Sequence, residues 1–157
     1  MSDAVKHECG VAMLRLLKPL KFYQKKYRTA FYGLNKMYLL MEKQHNRGQD
    51  GVGLANVKLD VAPGKRYISR QRSIATNPIQ DVFKKANKRF VSLQDKEPEK
   101  LSDPDWLKEN LPFTGELFLG HLRYGTYGGN NIEQCHPFLR QNNWKTRNLV
   151  LAGNFNM

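Results

Sequence analysis

Cys9-Gly10-Val11-Ala12-Met13-Leu14-Arg15-Leu16-Leu17 is an apolar run with high β-propensity at its start, and it predicts a buried strand. The aromatic and apolar residues that follow recur at steps of three and four, which indicates one amphipathic helix over about residues 22–44. The main members of this stripe are Tyr23, Tyr27, Phe31, Leu34, Tyr38 and Met41. The helix is expected to stop in the turn Asn46-Arg47-Gly48, which needs the conformational freedom of glycine.

Further along the chain, the pattern of apolar residues predicts a hairpin and a second helix. Val52–Val57 has the composition of a strand, Ala62-Pro63-Gly64 that of a turn, and Tyr67–Arg70 that of the hairpin partner. A second helical stripe follows Pro78, which is a favoured residue in a first helical turn. The members of this stripe are Ile79, Val82, Phe83, Ala86 and Phe90.

The remainder of the chain predicts a loop, a short helix and two β elements. Gln94–Pro104 is polar and charged, as surface loops are, and Ser102-Asp103-Pro104 predicts the capped start of a helix that runs to about Asn110. Leu117–Arg123 and Leu149–Ala152 predict strands. This order of elements predicts an α+β domain built in layers. Because the chain finishes directly after an apolar strand, we expect that fold to be incomplete at its C-terminal end.

The composition allows one ordinary domain with a strongly basic surface. The chain has 157 residues, of which 40% are hydrophobic, and its 26 Lys and Arg against 14 Asp and Glu give a net charge of +12. Such a charge suits an anionic partner such as nucleic acid, phosphate or acidic lipid. The cations are spread between apolar positions and do not form one block. This distribution favours solvated faces and predicts no nucleic-acid partner.

Three features predict a soluble cytoplasmic protein with no membrane partner. The two cysteines have unlike contexts, so they predict reduced thiols and no disulfide framework. The leader Met1–Glu8 is too short and too polar for a secretory signal, which needs an apolar run of at least about 7 residues. No apolar stretch approaches the roughly 18 residues of a membrane span.

Cys9, considered alone, allows a structural and a catalytic interpretation. A lone cysteine is more often a small buried hydrophobic residue than a nucleophile. If the leader Met1–Glu8 is a propeptide, however, its removal makes Cys9 the first residue of the chain. Its α-amine, with a pKa near about 8, could then take the proton of its own thiol at neutral pH.

Other polar residues are equally ambiguous when they are considered one at a time. Arg47 and Asp50 could form a capped turn with a local ion pair. Arg123, at the end of an apolar strand, could extend to the surface or hold a substrate carboxylate through two parallel hydrogen bonds. Asn154 could be a turn residue, or its side-chain amide and the next backbone N–H could form an oxyanion hole.

The sequence predicts no metal site. His121 and His136 lack a third ligand at metal-binding spacing. Cys135 lies in a polar loop before His136-Pro137 and is expected to be unreactive. A Gly-rich phosphate-binding loop of the GxxxxGK[ST] type is also missing from the sequence.

Taken together, five segments in this order resemble the glutaminase domain of class II glutamine amidotransferases. The segments are Cys9-Gly10-Val11, Asn46-Arg47-Gly48-Gln49-Asp50-Gly51-Val52-Gly53, Gly120-His121-Leu122-Arg123-Tyr124-Gly125-Thr126, His136-Pro137-Phe138 and Leu151-Ala152-Gly153-Asn154-Phe155-Asn156. The Arg-Gly-Gln-Asp form of the second segment is most similar to the amidophosphoribosyltransferase branch of this family. The resemblance spans residues 9–157, a partial glutaminase domain without its C-terminal part or the phosphoribosyltransferase domain.

The resemblance implies an N-terminal-nucleophile hydrolase fold, an αββα sandwich, and the hydrolysis of glutamine to glutamate and ammonia. It implies that Cys9 attacks the glutamine side-chain amide after the leader is removed, and that the freed α-amine acts as general base and then acid. Arg123 and Thr126 would bind the substrate, with Arg123 on its α-carboxylate. Asn154 and the backbone N–H of Phe155 would stabilise the oxyanion.

The resemblance also implies supporting residues, partners and cofactors. Arg47 and Asp50 would fix the surroundings of the nucleophile. The hydrolytic half would need no metal or organic cofactor, and Mg²⁺ is expected only for the phosphoribosyltransferase domain, which passes ammonia to phosphoribosyl pyrophosphate. The parent enzyme is expected to be a homo-oligomer.

Two departures from the family pattern matter. Phe155 stands where the oxyanion motif usually has glycine, so its side chain must be accommodated if that position needs an unusual φ angle. The segment before Arg47 is longer than expected and carries extra basic and aromatic residues around Lys18–Phe31. The chain as given is expected to be inactive, because the leader blocks the α-amine of Cys9 and part of the substrate pocket belongs to sequence beyond Met157.

Three alternatives remain open at this point, one of which is a degenerate glutaminase remnant without catalytic activity. The acceptor could be that of another class II enzyme, namely a sugar aminotransferase, an asparagine synthetase or a glutamate synthase. A non-catalytic basic module that binds nucleic acid or an acidic partner would explain the net charge of +12 but not the ordered segments.

Overall fold

Strand β4 (Leu117–Arg123) lies at the centre of the fold and pairs antiparallel with β1 (Gly10–Arg15) on one side and β2 (Gly51–Val57) on the other. Strand β3 (Ile68–Ser73) pairs with β2, which completes a four-stranded sheet of order β1-β4-β2-β3. A second sheet consists of β5 (Phe138–Arg140) and β6 (Leu149–Leu151). The computed structural model describes residues 8–125 and 131–155. The predicted strands are confirmed in position, and β5 is an addition to them. The expectation that the first strand is buried is wrong, because alternate side chains of β1 are exposed.

Four α-helices occur in the described residues. They are α1 (Leu20–Tyr27), α2 (Tyr32–Glu42), α3 (Pro78–Lys96) and α4 (Pro104–Asn110), with 3₁₀ turns at His45–Arg47, Pro98–Ser102, Ile132–Gln134 and Lys145–Arg147. Helix α2 packs on β1 and β4, and α3 packs on β2 and β3. The mixed α+β class expected from the sequence is therefore confirmed.

The alternation of side chains along β4 assigns a different layer to each face of the central sheet. Phe118, Gly120 and Leu122 face the helices: a Cβ on Gly33 of α2 would lie 2.5 Å from the Phe118 ring, and one on Gly120 would lie 2.6 Å from Met41 Sδ. His121 and Arg123 face the opposite way, and both are buried. The helix face therefore holds the main apolar core, and the other face carries the polar groups of the candidate site.

The second sheet covers part of that other face. A Cβ on Gly53 of β2 would lie 1.8 Å from the carbonyl oxygen of His136, the residue two positions before β5. A cleft of about 160 Å³ remains between the sheets near Met13 and Val150. Val11 and Met13 of β1, on the same face, are 43% and 66% exposed. The second sheet thus covers the centre of the first and leaves the β1 edge open to solvent.

The single helix predicted over residues 22–44 is wrong, because the structure has two helices there. Arg28 has φ 61°, a left-handed conformation that ends α1. The Thr29 hydroxyl then accepts a hydrogen bond from the Phe31 N–H at 3.0 Å, and α2 begins at Tyr32. The break brings the Tyr27 and Tyr32 rings together, with centroids 4.3 Å apart. Because the aromatic packing continues across the break, the spacing of the apolar residues gives no sign of where the first helix ends.

The surface loop predicted over Gln94–Pro104 is also wrong in its first part. Helix α3 continues to Lys96, and Pro98–Ser102 forms a 3₁₀ turn. Leu93 is buried and Leu101 is partly buried against the same core. Leu93, directly before the polar stretch, and Leu101, within it, anchor the segment in regular structure.

Helix α4 begins at the predicted cap. The Asp103 side chain accepts hydrogen bonds from the backbone N–H groups of Asp105 and Trp106 at 3.1 and 2.9 Å. We expect Asp103→Ala to lower the free energy of unfolding by about 1 kcal/mol, since it removes an N-cap acceptor. Urea denaturation at neutral pH measures this change. Asp103→Asn keeps the acceptor and should lie within about 0.5 kcal/mol of the unaltered chain; equal losses in both variants would contradict a capping role.

Candidate functional site

Cys9 lies directly before β1, beside the end of β4. Because Gly10 pairs with Leu122, the residue before β1 is brought next to the residues that follow Leu122. The Cys9 thiol accepts a hydrogen bond from the Tyr124 N–H at 3.5 Å and lies 4.0 Å from the Tyr124 carbonyl oxygen. Cys9 is partly exposed and forms no disulfide. The strand register therefore places a reachable thiol at one end of the central sheet.

The turn before β2 packs tightly against this same end. A Cβ on Gly48 would lie 2.5 Å from the Leu122 carbonyl carbon and 2.6 Å from that of Arg123. Gly48 has φ −159°, which is extended backbone. The expectation that glycine is needed here for its conformational freedom is therefore wrong. Glycine is needed because the turn approaches the β4 backbone too closely for any side chain.

Asp50 joins this turn to the end of β4 through two hydrogen bonds. Its backbone N–H donates to the Arg123 carbonyl oxygen at 3.1 Å, and its carboxylate accepts from the Gly125 N–H at 2.7 Å. Arg47 lies at the other end of the turn, where a Cβ on Gly10 would be 3.3 Å from the Arg47 Cβ. Both Arg47 and Asp50 are exposed. The turn thus contacts Gly10, which follows Cys9, and also Arg123 and Gly125, which flank Tyr124 beside the Cys9 thiol.

Arg123 ends β4 on the face that carries the second sheet. It is only 4% exposed, so the alternative in which its side chain extends to the surface is wrong. One guanidinium nitrogen donates to Gln134 Oε1 at 2.7 Å. A Cβ on Gly125 would lie 3.3 Å from Arg123 Nη1 and 3.4 Å from Asp50 Oδ2. The Arg123 guanidinium and the Asp50 carboxylate therefore both border Gly125, at the same end of the sheet as Cys9.

The other residues that the sequence assigned to the site are Thr126, Asn154 and Phe155. Thr126 lies outside the described residues, as do residues 1–7 of the predicted leader. Asn154 and Phe155 follow β6 and are exposed. Val150 of β6 lies near Leu117 and Leu119 of β4, whereas Gly153 bonds to His121 further along β4. The chain therefore advances over β4 toward its Arg123 end as it reaches Asn154.

Phe155 is accommodated without an unusual backbone conformation. Among the described residues, the non-glycine positions with positive φ are Arg28, Asp60 and Phe113. The Phe155 ring instead packs on its neighbours, with its centroid 4.8 Å from that of His136 and an atom 2.6 Å from where a Gly153 Cβ would be. The concern that phenylalanine would be strained at this position is resolved.

Two buried histidines lie under Gly153. His121 Nε2 and the Gly153 carbonyl oxygen are 3.1 Å apart, and the Gly153 N–H donates to His136 Nδ1 at 3.2 Å. The two rings are in contact, with centroids 4.3 Å apart. Burial and then His136 lower the pKa of His121 to about 4, and burial likewise lowers the pKa of His136. Both rings are therefore neutral at pH 7.

Cys135 differs from Cys9 in its surroundings. It is completely buried, and its thiol occupies the space above Gly51, where a Cβ would lie 2.5 Å from the sulfur. Burial raises the pKa of its thiol. It lies in the predicted loop, between the 3₁₀ turn Ile132–Gln134 and β5, but its side chain is buried there. Burial and a raised thiol pKa are what an unreactive cysteine requires.

Sequence reasoning did not identify three further residues that build this region. Gln134 contacts the Arg123 guanidinium at 2.7 Å. Arg72 Nη1 donates to the Cys135 carbonyl oxygen at 3.2 Å and Arg70 Nη1 to that of Pro137 at 3.4 Å. The only signal for the two arginines was their alternation in β3, which places both on the face of the second sheet.

Comparison with protein-family models, curated proteins and solved structures gave no match of any of these three kinds. In residues 8–125 and 131–155 no group of three His, Cys, Asp or Glu side chains is arranged to hold a metal ion. Within the same residues, no helix is both long enough and apolar enough to cross a membrane.

Proposed function

We propose that this chain is part of a class II glutaminase domain in which Cys9 is the N-terminal nucleophile. One observation carries the proposal: residues from three distant segments meet at one end of the central sheet. The Cys9 thiol contacts Tyr124, and Asp50 bonds to both Arg123 and Gly125. These contacts join positions separated by as many as 115 residues. Such a meeting is what the ordered motifs of this family require.

The arrangement of layers gives further support. Helices α2 and α3 cover one face of an antiparallel sheet, and a second antiparallel sheet covers part of the other face. This order of helices, sheet and sheet corresponds to three successive layers of the αββα sandwich of N-terminal-nucleophile hydrolases. In that fold, the nucleophile begins a strand of a central sheet, as Cys9 does directly before β1.

The proposed reaction begins after the peptide bond between Glu8 and Cys9 is cut. The freed α-amine of Cys9 accepts the thiol proton, and Sγ attacks the side-chain carbonyl carbon of glutamine. The tetrahedral intermediate then collapses to a thioester, and ammonia leaves with the proton that the amine returns. Water hydrolyses the thioester to glutamate and regenerates the thiol.

The surrounding residues have separable roles in this proposal. Arg123 binds the glutamine α-carboxylate, for which its planar guanidinium is suited, and Thr126 assists in placing the substrate. Asp50 fixes the backbone of Arg123 and Gly125, and Arg47 packs beside Gly10. The Asn154 side chain and the Phe155 N–H stabilise the oxyanion, a type of contact typically worth about 3 kcal/mol.

The acceptor of the ammonia is proposed from the sequence alone. Gln49 before Asp50 favours the amidophosphoribosyltransferase branch, in which phosphoribosyl pyrophosphate is the acceptor and Mg²⁺ belongs to the acceptor domain. A sugar aminotransferase, an asparagine synthetase or a glutamate synthase would use the same hydrolytic half. A pyrophosphate-binding motif downstream in the parent gene would decide for the first acceptor.

The proposal is tested with the full product of the parent gene, which carries the rest of the substrate pocket, in two forms: one that begins at Cys9 and one that retains Met1–Glu8. Intact mass and N-terminal sequencing first establish which terminus each sample has. Each chain is then treated with a diazoketone analogue of glutamine, which alkylates a nucleophile that attacks it, and peptide mass spectrometry locates the adduct. We expect an adduct on Cys9 only in the chain that begins there, and we expect excess glutamine to suppress it.

Matched variants make this result specific. Cys9→Ser should remove the labelling, whereas Cys135→Ser should leave it unchanged, since the Cys135 side chain is completely buried. Equal labelling of both cysteines, or labelling that glutamine does not suppress, would refute the glutaminase proposal. Ammonia release from glutamine by the chain that retains Met1–Glu8 would refute the role of the Cys9 amine.

A further inference from the structure

The Gly153 peptide group is held from both sides by histidine rings that come from distant parts of the chain. Its N–H donates to Nδ1 of His136, 17 residues away, and its carbonyl oxygen pairs with Nε2 of His121, 32 residues away. Both histidines are less than 4% exposed. Two buried side chains therefore fix a single peptide unit just beyond the end of β6.

These two contacts determine where the protons of the rings are. Because a backbone N–H can only donate, His136 Nδ1 must be unprotonated and its proton must be on Nε2. Because a carbonyl oxygen can only accept, His121 Nε2 must carry a proton. His121 Nδ1 then carries none, and it is a buried nitrogen that has no hydrogen-bond partner among the described residues. Both rings are thus required in specific neutral tautomers.

The held peptide directly precedes Asn154 and Phe155. The Phe155 ring packs over the His136 ring and over Gly153, where a Cβ would lie 2.6 Å from it. The Phe138 ring also contacts the His136 ring, with centroids 4.3 Å apart. The segment 153–155 is therefore anchored on His136 by one hydrogen bond and one ring contact.

We propose that His136, assisted by His121, is a positioning residue that sets the place of Asn154 and Phe155 through the Gly153 peptide, and that a proton on His136 Nδ1 releases this segment. A protonated Nδ1 would confront the Gly153 N–H with a second donor, so the hydrogen bond is lost and repulsion replaces it. The inference rests on the proposed function only for its consequence, namely that the released segment carries the oxyanion donors.

The groups that face His136 from β4, β3 and β2 determine how easily its ring takes up a proton. On β4 it meets His121 and, further along, Arg123, which opposes a positive charge. On β3, Arg70 and Arg72 bind the backbone of Pro137 and Cys135, and Arg72 also pairs with Glu133 at 3.2 Å. On β2 the neighbour is the uncharged backbone at Gly53. Cations thus outnumber the single carboxylate, so the neutral ring persists until the pH falls below the ordinary range of histidine.

The residue that precedes Gly153 in the sequence allows its backbone amide to be observed selectively by NMR. Gly153 is the only glycine preceded by alanine, so the full chain labelled with ¹³C-carbonyl alanine and ¹⁵N-glycine gives one carbonyl-correlated amide signal, that of Gly153. We expect a protected, slowly exchanging amide at pH 7.5 that loses protection by at least about tenfold when the sample is brought to about pH 5 and His136 takes up a proton. Long-range ¹H–¹⁵N spectra should show His136 with its proton on Nε2 at pH 7.5.

Two variants distinguish the hydrogen bond from ring packing. His136→Asn keeps an acceptor near the position of Nδ1 but cannot titrate, so its Gly153 amide should stay protected at both pH values. His136→Phe keeps a ring without an acceptor, so the amide should be unprotected at both. His45→Asn, at an exposed histidine, should behave as the unaltered chain.

The proposal is overturned if protection of Gly153 is independent of pH in the unaltered chain, or if His136 carries its proton on Nδ1 at pH 7.5. If His136→Phe does not fold, the unaltered chain and His136→Asn still decide. None of these signals needs glutamine, so a failure of the glutaminase assay leaves them readable. Conversely, a failure here does not affect the labelling of Cys9.

Discussion

Gly53→Ala is expected to lower the free energy of unfolding by about 4 kcal/mol, an unusually large loss for the addition of one methyl group. The new Cβ would lie 1.8 Å from the His136 carbonyl oxygen and 2.8 Å from its carbon. Both are backbone atoms, so no side chain can rotate away. Arg70 and Arg72 hold the backbone on either side of His136, which prevents a small local shift. Urea denaturation followed by circular dichroism measures the loss.

The matched control for this prediction is Gly64→Ala. Gly64 has φ +81° and open space around its Cβ position, so alanine there adds only backbone strain. We expect a loss of about 1 kcal/mol at that position. A Gly53→Ala variant that is no less stable than Gly64→Ala would contradict the close contact between β2 and the segment before β5.

The fold could be predicted from the sequence where a single periodicity coincides with a single element. Val52–Val57 and Leu117–Arg123 were identified as strands and are the two central strands, β2 and β4. The break between α1 and α2 was missed because it depends on one residue, Arg28, in a left-handed conformation. The apolar stripe keeps its steps of four and three across that point, through Tyr27, Phe31 and Leu34. Tyr27 and Tyr32 also pack together on either side of it.

The candidate site was predictable only in part, for a physical reason. Hydrogen bonds over long sequence separations, such as that of Asp50 to Gly125, follow from strand register, which the sequence alone did not supply. Those residues were selected by resemblance. Gln134 and the pairing of His136 with Gly153 were missed because the segment before β5 has a polar composition, although Cys135 and His136 in it are buried.

His121 is expected to make the protein markedly less stable in mild acid. Its pKa is about 4 in the folded chain, lowered by burial and by His136, whereas an unfolded histidine titrates near about 6.5. Between these two values the unfolded chain binds a proton that the folded chain does not. The free energy of unfolding therefore falls as the pH decreases from 6.5 to 4. At about 1.4 kcal/mol for each pKa unit, the loss attributable to His121 is about 3 kcal/mol.

The measurement compares the pH dependence of urea denaturation in the unaltered chain with that in His121→Gln. Glutamine can donate to the Gly153 carbonyl oxygen from nearly the position of Nε2, but it does not titrate. The variant should be less stable at pH 7, because it loses the ring contact with His136, and its stability should fall less steeply below pH 6.5. The carboxylates contribute equally to both chains, so the difference between the two slopes isolates His121. His45→Gln, at an exposed histidine, should keep the slope of the unaltered chain, and a His121→Gln slope equal to it would mean that the buried ring is not held neutral.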